Sequence, residues 1–145
     1  GFARKLVSKS YGEAGSFAYD EVGSYVVVQG YGWIWKGDTG DMDFHESELP
    51  WAYLSVFNSK VFEALLSCHC PRVRGGQFDL MQKYVNQISL PNLADEVSVN
   101  ADCVQELARL GRQIHLGKWP EEKVLTELAA HVYGLSVEDI FGVEG

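Results

Sequence analysis

The sequence predicts an α+β fold: a mixed β-sheet with packed helices, followed by a small helical C-terminal appendage. Three observations predict it. β-rich runs punctuated by glycine occupy the first 36 residues, apolar side chains recur at helical spacing from Pro50 onward, and two further helical stripes with their own stop signals follow residue 92. With 145 residues, 46% hydrophobic and 22% charged, the chain has apolar material for one compact domain and a small appendage. The expected division is a first unit over residues 1–92 and a helical tail over residues 93–145.

Strands are expected at Arg4–Ser8, Tyr25–Gln29 and Tyr31–Trp35, where aromatic and β-branched side chains suit a pleated, half-buried surface. The segment 37–41, Gly-Asp-Thr-Gly-Asp, is a turn or loop by composition. Pro50 suits the first turn of a helix in which Trp51, Leu54 and Phe57 share one face. Asn58-Ser59 breaks that helix and caps a second, with Phe57, Val61, Ala64, Leu65 and Cys68 repeating at helical spacing. Cys70-Pro71 ends it, because proline disfavours helix for the residue before it. A loop over Pro71–Phe78 leads into a short helix predicted for Asp79–Gln87, with Leu80, Tyr84 and Ile88 on one side.

In the tail, Asn100 caps a helix whose stripe is Val104, Leu107, Ala108 and Gly111. Pro120 opens the next, with Val124, Leu128, Ala129 and Val132 as its stripe and Gly134 as its stop. Ser136–Asp139 has capping-box character.

The net charge of −8 argues against a free-standing nucleic-acid binder, whose contact surface should be basic. The charge is uneven, however. Residues 1–91 carry 8 Lys/Arg against 10 Asp/Glu, whereas residues 92–145 carry 4 against 10, so the acidity sits mainly in the tail. No apolar run approaches the roughly 20 residues a bilayer crossing needs, and no membrane is expected. Cys68, Cys70 and Cys103 are an odd count without a framework spacing, as reduced thiols of a cytoplasmic protein would be. The chain opens on Gly1 rather than Met and is expected to be a piece of something longer.

No catalytic site is expected. Cys68-His69-Cys70 has one intervening residue where zinc ligands typically have two to four, and His45, Cys103, His115 and His131 supply no partner motif, so no metal site is expected. Asp38, Asp41, Asp43, Glu46 and Glu48 lack a nuclease arrangement and read as a solvated loop. Gly30-Tyr31-Gly32 lacks the remaining glycine of a dinucleotide fingerprint. No nucleophile–base pair is recognisable, and no cofactor is expected in this chain. Tyr31, Trp33 and Trp35 alternate along one strand face, as a stacking platform for an extruded base would; ordinary packing is the favoured reading.

Three segments in order carry a resemblance. Leu54-Ser55-Val56-Phe57-Asn58-Ser59-Lys60-Val61-Phe62 resembles the L-x-x-L-N-S-K-x-F helix junction of the specificity domains of TaqI-like and type IIG adenine-specific DNA methyltransferases. Arg74-Gly75-Gly76-Gln77-Phe78, then Lys83-Tyr84-Val85 and Ile88-Ser89-Leu90-Pro91-Asn92, resembles the G-G-x-F … K-x-Y-[LV] … [LI]-P-[IV]-P ending of those domains, with Ser-Leu-Pro replacing Pro-Ile-Pro. Val132-Tyr133-Gly134-Leu135-Ser136-Val137-Glu138-Asp139-Ile140 resembles the helix ending common just after them.

The resemblance implies a target-recognition domain over residues 1–92 of a restriction–modification enzyme. Its partners would be double-stranded DNA and its own methyltransferase domain. In that family a separate domain binds S-adenosylmethionine and flips the target adenine. That domain's Asn/Asp-Pro-Pro-Tyr/Phe signature is not in this sequence. This chain would therefore supply the address rather than the chemistry, whether or not the parent also cleaves DNA.

Base readout needs planar or bidentate donors at loop tips: Arg for guanine O6/N7, Gln or Asn for adenine N6/N7. Arg72, Arg74 and Gln77 sit in the most basic and glycine-rich segment of the chain, and are the candidate DNA-reading residues. The bland alternative is a surface turn kept soluble by two arginines. Lys83, Lys60, Lys9 and Lys5 are candidate phosphate contacts, with Ser8, Ser10 and Tyr11 as neutral additions; for any one lysine a solvated face is the stronger reading. The rival function is a protein–protein module, its acidic tail docked on a catalytic domain or a partner subunit.

Overall fold

The computed structural model of the chain describes residues 4–8, 11–12, 17–21, 23, 31–33, 43–73, 75, 77–95 and 99–136. These residues form an α+β fold. Helix α1 (Leu49–Phe57) lies at its centre, buried at all nine positions. Its sequence LPWAYLSVF carries no charged side chain, so neighbours can cover it on every side. Pro50 stands in its first turn, as the sequence predicts.

Asn58-Ser59 makes the break. The Ser59 hydroxyl caps helix α2 (Lys60–His69) by accepting from the Phe62 N–H at 3.2 Å, and Cys70 closes that helix before Pro71. Phe57 and Phe62 stack at 4.8 Å on either side of the junction, with Phe17 tilted against Phe57 and edge-on to Phe62.

Strand β1 (Lys5–Ser8) is the middle of a three-stranded antiparallel sheet, between β3 (Ala18–Asp20) and β4 (Tyr31–Trp33). Strand β2 (Tyr11–Gly12) pairs separately with β5 (Phe78–Asp79), also antiparallel. The sequence reading anticipates β1 and β4. It misses β3, and it misses β2 and β5, where two residues are too few for alternation to register. The strand expected at Tyr25–Gln29 lies outside the described residues.

A short 3-10 helix, Phe44–Glu46, sits between sheet and helices, capped by the Asp43 carboxylate. Tyr19 of β3 hydrogen-bonds His45 Nδ1 at 2.8 Å, and Arg4 donates to the His45 carbonyl at 2.6 Å while pairing with Glu46.

Helices α4 (Ala101–His115) and α5 (Glu122–Val132) complete the structure. Asn100 caps α4, and Val104, Leu107, Ala108 and Gly111 are its buried stripe, as expected. This helix crosses α1 closely. Gly111 rests on the Trp51 carbonyl, a Cβ at position 111 would lie 2.0 Å from that oxygen, and the Ser55 hydroxyl donates to Leu107 O at 2.5 Å. Residues after 92 thus share one core with residues before it: Val104, Leu107 and Leu110 belong to the same cluster as Trp51, Leu54 and Phe78.

Three helix expectations need correction. Helix α2 buries Val61, Phe62 and Leu66, while Ala64 and Leu65 of the expected stripe are half-buried and Cys68 is exposed, so its inward face is turned by about one residue. Helix α5 buries Leu125, Thr126, Ala129, Ala130 and Val132, leaving Val124 39% exposed, so its inward face is turned by about one residue from the expected stripe. Ala129 and Ala130 instead meet Val61 of α2. The helix expected over Asp79–Gln87 is helix α3 (Gln82–Val85) alone, because Asp79 is held in β5 opposite Tyr11.

Candidate functional site

Residues 71–79 form a small β-finger. The Asp79 N–H donates to Pro71 O at 2.8 Å and the Val73 N–H to Gln77 O at 2.8 Å, with Arg72 bridged to Phe78 across the pair. At the turn, Gly75 has φ +93°, a conformation glycine takes without strain, and a Cβ there would meet nothing within 4 Å. Gly75 is thus exposed at the turn.

The base of the finger is rigid. Phe78 and Leu80 are fully buried, and β5 is paired to β2. Beyond it, the Asp79 carboxylate accepts from the Met81 N–H at 3.1 Å and sets the chain into α3, whose Tyr84, Val85 and following Ile88 pack on the core. The far end is fastened by Tyr53: its hydroxyl donates to Pro91 O at 2.7 Å and accepts from the Leu93 N–H at 3.1 Å. Residues 71–93 are thus pinned at both ends to a fixed scaffold.

The structure brings three of the candidate residues to this unit. Arg72 is exposed, with its guanidinium carbon 4.2 Å above the buried Phe78 ring. Such stacking limits the wandering of a long side chain. Gln77 is half-buried on the returning strand, and Lys83 is exposed on α3, its ammonium 4.9 Å from the Tyr84 ring. Arg74 and Lys9 lie outside the described residues. Lys60 belongs to another element, the first turn of α2, where its ammonium pairs with Glu63 at 2.8 Å.

Lys5 is not available to a phosphate. It is 3% exposed and bonded at 2.7 Å to Asp20, which stands directly opposite it on β3. The side chains of Ser8, Ser10, Tyr11, Tyr31, Trp33 and Trp35 lie outside the description. Of the acidic group read as a solvated loop, Asp43 is a helix cap, Glu46 pairs with Arg4 and Glu48 pairs with Arg112 at 2.9 Å, while Asp38 and Asp41 are outside the described residues.

The segment that carries the finger is poor in acid. In the 31 residues from 64 to 94 the only acidic residue is Asp79, against Arg72, Arg74 and Lys83, although the whole chain holds 20 Asp/Glu. That one carboxylate sits at the base of the finger, not at the tip: it is half-buried, holds the Met81 N–H and adds to the effect of burial in pushing the Cys70 thiol up. The exposed side chains on α3 and its ending are mostly uncharged amides, namely Gln82, Asn86 and Gln87, which the sequence reading passed over. The shortage of acid was visible in the sequence; which amides face outward was not.

Cys68 is exposed and Cys70 buried, so their side chains face differently although a single residue separates them. Among the described residues no three His, Cys, Asp or Glu side chains are grouped to hold a metal ion, and no helix is long and apolar enough to cross a membrane. Compared with known proteins, the chain matches no family model, no curated protein and no solved structure.

Proposed function

We propose that this chain is a DNA sequence-recognition module of a site-specific adenine DNA methyltransferase of a restriction–modification system, with the 71–79 finger as its contact element. The observation that carries the reading is a two-stranded finger in a long acid-poor stretch of an acidic chain, with Arg72 and Gly75 exposed on it. The major groove of B-DNA admits a two-stranded β-ribbon, and an arginine there pairs bidentately with guanine. The chain supplies recognition. Methyl transfer, with S-adenosylmethionine, belongs to a separate catalytic domain, and the setting is the cytoplasm.

Residues after 92 serve a different purpose in this reading. Their excess of acid disfavours contact with phosphate, and Leu116 and Trp119, 69% and 52% exposed at the α4–α5 turn, favour a role in protein contact. Docking onto a catalytic domain or a partner subunit would use that side.

The test is direct binding of the 145-residue chain to duplex DNA, compared with Arg72→Ala and Arg74→Ala. Each substitution is expected to weaken binding to the preferred duplex, by about 1–3 kcal/mol where a bidentate base contact is lost. Two variants that bind like the parent would rule out the finger as the contact.

A further inference from the structure

We propose that Gln82 and Asn86 form a second base-reading element beside the finger, addressed to adenine in neighbouring A·T pairs of duplex DNA. This rests on the reading of the finger as a DNA contact and adds the specificity of the adjoining surface.

The argument begins with backbone geometry. Helix α3 covers Gln82–Val85, and Asn86 continues its right-handed conformation at φ −63°, ψ −16°. Residues four apart on such a turn lie on one face, with Cβ atoms about 5–6 Å apart. Both side chains are exposed, whereas Tyr84, Val85 and Ile88 turn to the core. Stacked bases on one strand repeat about every 3.4 Å, so two amides at this spacing reach adjacent or next-adjacent base pairs.

Their chemistry is selective. A carboxamide offers one donor and one acceptor in a plane, the complement of adenine N7 and N6 in the major groove. Met81, 43% exposed immediately before Gln82, is an apolar neighbour suited to a thymine methyl. Lys83 lies between the two amides in sequence, exposed and available to a phosphate, and no acidic residue occurs between Leu80 and Ala94 to oppose the approach. The Asp79–Met81 hydrogen bond joins α3 to the finger across a single residue, so the two elements meet the duplex as one body.

The experiment selects duplexes from a randomised pool with the 145-residue chain and with its Gln82→Ala, Asn86→Ala and Arg72→Ala variants. Circular dichroism melting checks each fold. The parent is expected to enrich a sequence motif, and each amide variant to lose preference at an A·T position beside the one Arg72→Ala relaxes. Affinity for the selected duplex should fall about 5- to 150-fold per lost bidentate contact, with affinity for a scrambled duplex unchanged. Amide variants that enrich the parental motif with parental affinity, while Arg72→Ala does not, would overturn the second element and leave the finger standing. A parent chain that binds and enriches no duplex would overturn the finger reading, and this inference with it.

Discussion

Asn58 holds the backbone of Phe17 by both of its hydrogen-bonding groups. The Phe17 N–H donates to Asn58 Oδ1 at 3.1 Å, and Asn58 Nδ2 donates back to the Phe17 carbonyl at 3.1 Å and to Leu54 O at 2.9 Å. One buried amide thus ties the approach to β3 to the α1–α2 junction, and Ser59 beside it caps the next helix. The Asn-Ser pair is needed here because each member satisfies backbone groups that have no water to turn to.

Asn58→Ala should therefore destabilise the chain by about 2–4 kcal/mol, the cost of orphaning two buried backbone groups. Ser59→Ala, which removes the cap on the Phe62 N–H and the hydroxyl's bond to Val56 O, a carbonyl that still accepts from the Ser59 N–H, should cost about 1 kcal/mol. Urea denaturation checks the order; equal effects would contradict the clamp.

The α1–α4 crossing predicts a sharper contrast. Gly111→Ala places a methyl group against the Trp51 carbonyl, where neither backbone can yield without separating the helices. A loss of at least about 1–3 kcal/mol is expected. Ser55→Ala gives up only a hydroxyl bond to a helical carbonyl and should cost about 0.5–1.5 kcal/mol. Thermal melting of the two variants decides it.

His45 gives the fold an acid-sensitive point. Burial first, and then the Arg4 charge, hold its pKa below the ordinary value near 6.5, against the opposing pull of Asp43 and Glu46. A histidine that binds its proton less readily folded than unfolded contributes stability that is intact above the unfolded pKa. That stability is lost as pH falls through the lower folded pKa. Unfolding free energy should accordingly decline as pH drops below about 6.5, and His45→Gln should flatten that part of the profile.

The thiols should separate by reactivity. Cys68 is exposed, whereas burial pushes the Cys70 and Cys103 thiols up and shields them. Mass spectrometry after iodoacetamide treatment of the folded chain should find one modified cysteine, at position 68, with the other two reacting on unfolding. Simultaneous modification of all three would contradict the packing.

Where the sequence spoke through local signals, it was legible. Pro50, Asn58-Ser59, Cys70-Pro71, Asn100 and Gly134 each act on the backbone within a few residues, and the structure places helix starts and stops at or close to them. What depended on distant partners was not. The burial of Lys5 requires Asp20 across the sheet, and the β2–β5 pairing joins Tyr11 to Asp79. Apolar periodicity through Leu80, Tyr84 and Ile88 drew the expected helix back over Asp79, which that pairing holds extended. The glycine-rich turn was readable from Gly75, but the outward face of α3 emerged only from what α3 packs against.

The most direct measurement is the salt dependence of binding between the 145-residue chain and duplex DNA. If the finger and Lys83 lie against the duplex, affinity should fall about 10- to 100-fold between roughly 50 and 200 mM salt, as two or three phosphate contacts release their counterions. Replacing Lys83 with Ala should make that slope shallower by about one contact. Absence of binding, or an affinity indifferent to salt, would contradict DNA recognition by this chain.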